Sequence, residues 1–140
     1  MNDQLRCLVS FRICGDTLDP VMVTDILGIT PDQAHRKGEQ NITITKKGKR
    51  IAAAPYRSGL WCIDSKADEC GNFEHHIKSL MTLLYPLKKE LLGLSDRGYQ
   101  MDLYCSMFAY GIHQPGFDIE ADTLFQMGEL NIAMSMSIYP

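Results

Sequence analysis

The 140 residues contain no run of 18 or more apolar side chains, no Cys-x-x-Cys pair and only one tryptophan. Without a long apolar run no membrane-spanning helix is expected. The opening Met-Asn-Asp-Gln-Leu-Arg has neither the apolar stretch nor the cleavage site of a secretory signal, so the cytoplasm is the expected compartment. Five cysteines (Cys7, Cys14, Cys62, Cys70, Cys105) form an odd, irregularly spaced set, which speaks against a disulfide framework and reads as reduced, structural thiols. Catalytic and phosphate-binding signatures are missing too: no Gly-x-Ser-x-Gly, no Gly-x-x-x-x-Gly-Lys and no Gly-x-Gly-x-x-Gly occurs. No cofactor is implied, and the chain is expected not to be an enzyme.

What is present is an ordinary globular composition, 45% hydrophobic and 22% charged, in a chain the size of one domain spanning residues 1–140. Charge is spread unevenly along it. Between Pro31 and Leu60 lie Arg36, Lys37, Lys46, Lys47, Lys49, Arg50 and Arg57 against only Asp32 and Glu39, although the whole chain carries a net charge of −3. A basic stretch in an acidic protein needs either a solvent-facing turn or an anionic partner. Nucleic acid is the disfavoured partner: stacking would want interleaved aromatics, only Tyr56 and Trp61 are near, and the pI is about 5.7.

Apolar periodicity places the elements. Leu5, Cys7, Val9, Phe11 and Ile13 alternate with Arg6, Ser10 and Arg12, the period of a half-buried strand. Asp19-Pro20 opens a short helix that Gly28 stops, with Leu18 able to staple onto Val23. Thr30-Pro31-Asp32-Gln33 repeats that capping pattern and predicts one further helical turn. Ile42-Thr45 and Ile51-Tyr56 flank Lys46–Arg50 as a basic hairpin, and Leu60–Asp64 forms another strand. Phe73, Ile77, Leu80, Leu84, Leu87, Leu91 and Leu94 draw one helical stripe that Pro86 must kink or split near Tyr85. Met101 to Ala109 alternates as a strand, Asp118 caps a short helix that Gly128 closes, and Ile132 to Tyr139 alternates again. The expected fold is α+β: a single, mainly antiparallel sheet with helices packed on one face, in the order β-α-β-β-α-β-α-β, whose first six elements match a ferredoxin-like core. The last strand is a candidate for pairing with a second copy across a two-fold axis.

Short pieces of sequence in this order carry a resemblance. Gly15-Asp16-Thr17-Leu18-Asp19-Pro20, Leu27-Gly28, Pro31, Arg36-Lys37-Gly38, Gly59-Leu60-Trp61, Pro86 and the closing Tyr139 resemble the pattern of a bacterial family, the domain of unknown function 4279. The resemblance spans nearly the whole chain and implies no activity, since the family has none established. The basic segment between Gly38 and Gly59 is longer here than in that pattern.

Candidate chemistry is sparse. Cys70, Glu74, His75 and His76 hold metal-ligating atoms, but adjacent histidines on a helix point about 100° apart. Asp16, Asp19, Asp118, Glu120 and Asp122 stand at predicted helix starts, where carboxylates cap free amides. The binding candidates are Arg36, Lys37, Lys46, Lys47, Lys49, Arg50 and Arg57, with Trp61, which alternates beside Ile63 and reads as core, alternatively lining a shallow pocket next to Arg57 and Gly59. By analogy with small acidic single-domain proteins, the expectation is a non-catalytic binding protein with a protein partner that offers an anionic surface. An immunity-type protein that neutralises a cognate toxin is the concrete form. The alternative is a small-anion or nucleotide sensor with its pocket near Arg36, Lys37 and Trp61.

Overall fold

The computed structural model describes residues 5–68, 72–114 and 116–139. Strand β1 (Arg6–Gly15) is the central strand of the sheet and alternates cleanly: Cys7, Val9, Phe11 and Ile13 are buried on one face, while Arg6, Leu8, Ser10 and Arg12 face the other way. It pairs antiparallel with β5 (Gly59–Asp64) on one side and with β6 (Gln100–Phe108) on the other, so that Phe11 stands between Ile63 and Leu103. The five-stranded sheet is completed by β2 (Gln33–His35) beyond β5 and β7 (Ala133–Tyr139) beyond β6, in the order β2-β5-β1-β6-β7. Only β6 and β7 run parallel.

All helices cover the Phe11 face. Helix α1 (Pro20–Leu27) starts where Asp19 accepts a hydrogen bond from the Val21 amide and stops at Gly28, whose φ of +69° releases the chain into the left-handed region. Helices α2 (Phe73–Leu84) and α3 (Lys88–Asp96) form the long apolar stripe, divided by a single 3-10 turn at Tyr85–Leu87. Pro86 sits in that turn, so its missing amide breaks no helical ladder. Phe73, Ile77, Leu80, Leu84, Leu91 and Leu94 are all in the core.

Two glycines of the shared sequence pattern meet here. Gly15 and Gly59 are directly opposite in the β1–β5 pair, and a Cβ on Gly59 would lie 2.7 Å from the Gly15 carbonyl oxygen and 2.9 Å from the Leu18 Cβ. The chain entering α1 passes too close to β5 for any side chain.

The structure corrects several expectations. No helical turn forms at Thr30–Gln33. The Asp32 amide donates to the Cys62 carbonyl (2.8 Å), its carboxylate accepts from the Asp64 amide (2.7 Å), and the chain continues as β2 along β5. The open edge of β5 outweighs a local capping preference worth about 1 kcal/mol. Four strands therefore separate α1 from α2 where the expected order had two: β2 is additional, and the expected basic hairpin, β3 (Asn41–Ile44) and β4 (Arg50–Ala53), does form but pairs only with itself as a separate two-stranded ribbon, outside the single sheet expected. Helix α4 (Ala121–Glu129) has Glu120, not Asp118, at its N-cap position. Gly128 lies within its last turn, and the left-handed residue is Asn131 with φ of 57°. Asparagine tolerates that conformation, and its side chain is held there by a bond from Nδ2 to Ser95 Oγ (2.6 Å).

Candidate functional site

The ribbon β3–β4 pairs Ile42 with Ala52 and Ile44 with Arg50 on one face, and Asn41 with Ala53 and Thr43 with Ile51 on the other. Its tip is built by Thr45-Lys46-Lys47-Gly48-Lys49. The Gly48 amide donates to the Thr45 carbonyl (2.8 Å) and the Thr45 amide to the Lys49 carbonyl (2.9 Å), while Thr45 Oγ1 accepts from the Lys49 amide (3.1 Å). This is a type I turn closed by a residue in the left-handed region, and Gly48 supplies it with φ of +79°. At the base, the Gly38 amide donates to the Tyr56 carbonyl (2.8 Å) and the Tyr56 ring stacks on His35 at 3.5 Å. Burial pushes the His35 pKa down, which favours the neutral ring in that stack.

Neither face of the ribbon is covered. Ile42, Ile44 and Ile51 are exposed, Ile44 to 67%, beside exposed Lys46, Lys47, Lys49 and Arg50. Among the described residues no salt bridge reaches those four cations or the exposed Arg57. The remaining members of the candidate set lie elsewhere. Arg36 pairs with Asp19 (2.7 Å) and Lys37 with Asp16 (3.2 Å), beside the start of α1. Trp61 is fully buried: its Nε1 donates to Thr24 Oγ1 (3.0 Å) and its ring meets Phe11 edge-on. It belongs to the core and lines no surface. The eight residues thus resolve into a ribbon tip, a neutralised pair of cations, Arg57 and a core side chain.

Sequence reasoning missed a polar network on the open face of the sheet. Arg12 donates from Nε to Asp102 Oδ1 (2.8 Å) and from Nη2 to Asp102 Oδ2 (2.6 Å), and Ser135 Oγ donates to the same carboxylate (2.9 Å). The guanidinium lies 4.4 Å from the centre of the Tyr104 ring, and the Tyr104 hydroxyl shares a hydrogen bond with Ser137 (2.9 Å). The Asp102 hydrogen bonds push the Arg12 pKa further up, and the Ser137 bond draws that of Tyr104 down. Of this network, Arg12, Asp102 and Ser135 line a cavity of about 620 Å³ together with Ser95, Tyr99 and Asn131. Alternation assigns each residue to that face, but only the strand order makes Arg12 and Asp102 neighbours.

His75 is exposed while His76 is buried, so the two rings diverge as the helical geometry requires. His76 Nδ1 instead shares a hydrogen bond with Ser65 Oγ (2.9 Å), which also accepts from the Ala67 amide (3.2 Å). Cys70 lies outside the described residues. Cys7, Cys14, Cys62 and Cys105 are free thiols, and burial pushes Cys62 up to about 11 and Cys105 up to about 12. At pH 8 the native protein is therefore expected to leave both thiols unalkylated by iodoacetamide, whereas unfolding in guanidinium exposes them. Peptide mass spectrometry reads the difference, and rapid native labelling of either cysteine would contradict the burial.

The arrangement defines an α+β protein whose mainly antiparallel sheet is covered by helices on one face and open on the other. Residues 3–140 match the family model described as domain of unknown function (DUF4279), and the chain belongs to that family. No curated protein and no solved structure matches it. Among the described residues no helix is long and apolar enough to cross a membrane.

Proposed function

We propose that the protein is a non-catalytic cytoplasmic binding protein that docks its basic ribbon on an acidic surface of another protein, in the manner of an immunity-type protein neutralising a toxin. The observation that carries this reading is the bare ribbon. A two-stranded hairpin by itself is marginally stable in water, and this one leaves Ile42, Ile44 and Ile51 uncovered next to four cations without carboxylate partners among the described residues. A protein partner would bury the apolar arms, while Lys46, Lys47, Lys49 and Arg50 steer the encounter. The remainder serves as scaffold. Taken as a ferredoxin-like core with β7 appended, it carries the ribbon as an insertion between β2 and β5. The small-anion alternative is weaker, because Arg36 and Lys37 would first have to leave Asp19 and Asp16.

The test is affinity capture from an extract of the source cells, comparing the native chain with a Lys46→Glu/Lys47→Glu/Lys49→Glu/Arg50→Glu variant. The reversed protein is expected to melt at the same temperature and to retain at least about ten-fold less partner, and rising salt should slow association of the native chain. Equal retention by both proteins would discard the ribbon as the docking element.

A further inference from the structure

The two edges of the sheet are protected very differently. β2 is three residues long and runs directly into Arg36 and Lys37, and short charged edges resist pairing with another chain. β7 is seven residues long, Ala133-Met134-Ser135-Met136-Ser137-Ile138-Tyr139, without a charge, a proline or a glycine. It occupies the opposite edge, with Ile138 exposed to 55%. We infer that β7 is a homodimer interface, in which two copies pair antiparallel about a two-fold axis at Met136.

The backbone is set for this pairing. The Ala109 amide donates to the Tyr139 carbonyl, so Tyr139 turns its polar groups inward to β6. Alternation then turns those of Ser137, Ser135 and Ala133 inward as well, and directs the amides and carbonyls of Met134, Met136 and Ile138 to the outer edge. An axis at Met136 places these outward residues opposite one another, Met136 against Met136 and Met134 against Ile138 of the second copy. Those are the hydrogen-bonded positions of an antiparallel ladder.

The side chains agree with the same register. On the helix-covered face methionine meets methionine and Met134 meets Ile138. On the open face Ser135 meets Ser137, and the small Ala133 meets the large Tyr139. The strand reads nearly the same in both directions, so self-pairing matches apolar to apolar and hydroxyl to hydroxyl without opposing like charges. A strand from an unrelated chain would have no reason to meet this symmetry. The ribbon springs from the far side of the sheet, next to β2, so the dimer leaves it uncovered in each copy.

Light scattering over about 1 to 200 μM tests the inference, since dimerisation follows mass action. The native chain is expected to reach twice the chain mass. Met136→Lys and Met136→Glu should each stay monomeric over that range, a dissociation constant raised at least about 100-fold, because each variant sets like charges face to face. An equimolar mixture of the two should regain the dimer mass, since position 136 of one copy faces position 136 of the other. Circular dichroism verifies folding. Ile138→Lys, at an exposed position, replaces any variant that fails to fold and should also be monomeric. A native chain that remains monomeric, a charged variant that remains dimeric, or a mixture that stays monomeric overturns the proposal.

Discussion

Replacing Trp61 with alanine is expected to destabilise the protein by about 3–5 kcal/mol, the largest effect of any single substitution considered. Trp61 has no solvent exposure, packs edge-on against Phe11 at 6.4 Å between ring centres, and ties β5 to α1 through its bond to Thr24. Alanine removes the whole ring from between the sheet and α1 and strips the Thr24 hydroxyl of its partner. Domains of this size have a total stability of about 5–15 kcal/mol, so the variant should unfold at much lower urea concentration. Trp61→Phe keeps much of the ring and loses the Thr24 bond, so it should cost about 1–2 kcal/mol. Circular dichroism is the required probe, because the substitution removes the only tryptophan fluorophore. A cost below about 1 kcal/mol for alanine would contradict the buried position.

Asp102→Ala should be the next most damaging change, by about 2–3 kcal/mol. The carboxylate receives two bonds from Arg12 and one from Ser135, and the two charged side chains are 31% and 19% exposed. Removing it strands a largely covered guanidinium on the sheet face with no counter-charge. The double replacement Arg12→Met/Asp102→Leu should cost less than Asp102→Ala alone, since it abolishes the charge instead of orphaning it. Urea unfolding of the single and double variants measures the difference. A double variant less stable than Asp102→Ala would mean that the pair stabilises the sheet outright. Neither change touches the ribbon, so partner capture should survive both, which separates scaffold damage from loss of docking.

Most of the framework was legible. The alternation of β1, β6 and β7, the caps of α1 and the interrupted stripe around Pro86 are local patterns, and each appears in the structure within a residue or two. Failures occurred where distant chain decided. Thr30–Gln33 carries sound capping residues, yet the edge of β5 draws the chain from Gln33 onward into strand β2 and leaves Thr30–Asp32 non-helical. Asp118 and Gly128 looked like helix boundaries, but Glu120 and Asn131 hold those places. The candidate site was legible only as a run of cations. Sequence spacing could not reveal that Asp16 and Asp19 lie beside Lys37 and Arg36, while the cations at the ribbon tip have no such neighbours.

The sequence by itself determined which side chains of β1, β6 and the α2–α3 stripe leave water, because periodicity records the face on which an apolar group falls whatever it packs against. It therefore determined the α+β class, the sidedness of the sheet and the basic turn at Lys46–Arg50. Only the tertiary structure decided strand neighbours, the Arg12–Asp102 pair, the Asp16 and Asp19 partners of Lys37 and Arg36, and the two unlike sheet edges. These depend on contacts between residues tens of positions apart, and no local pattern encodes the energy of such contacts.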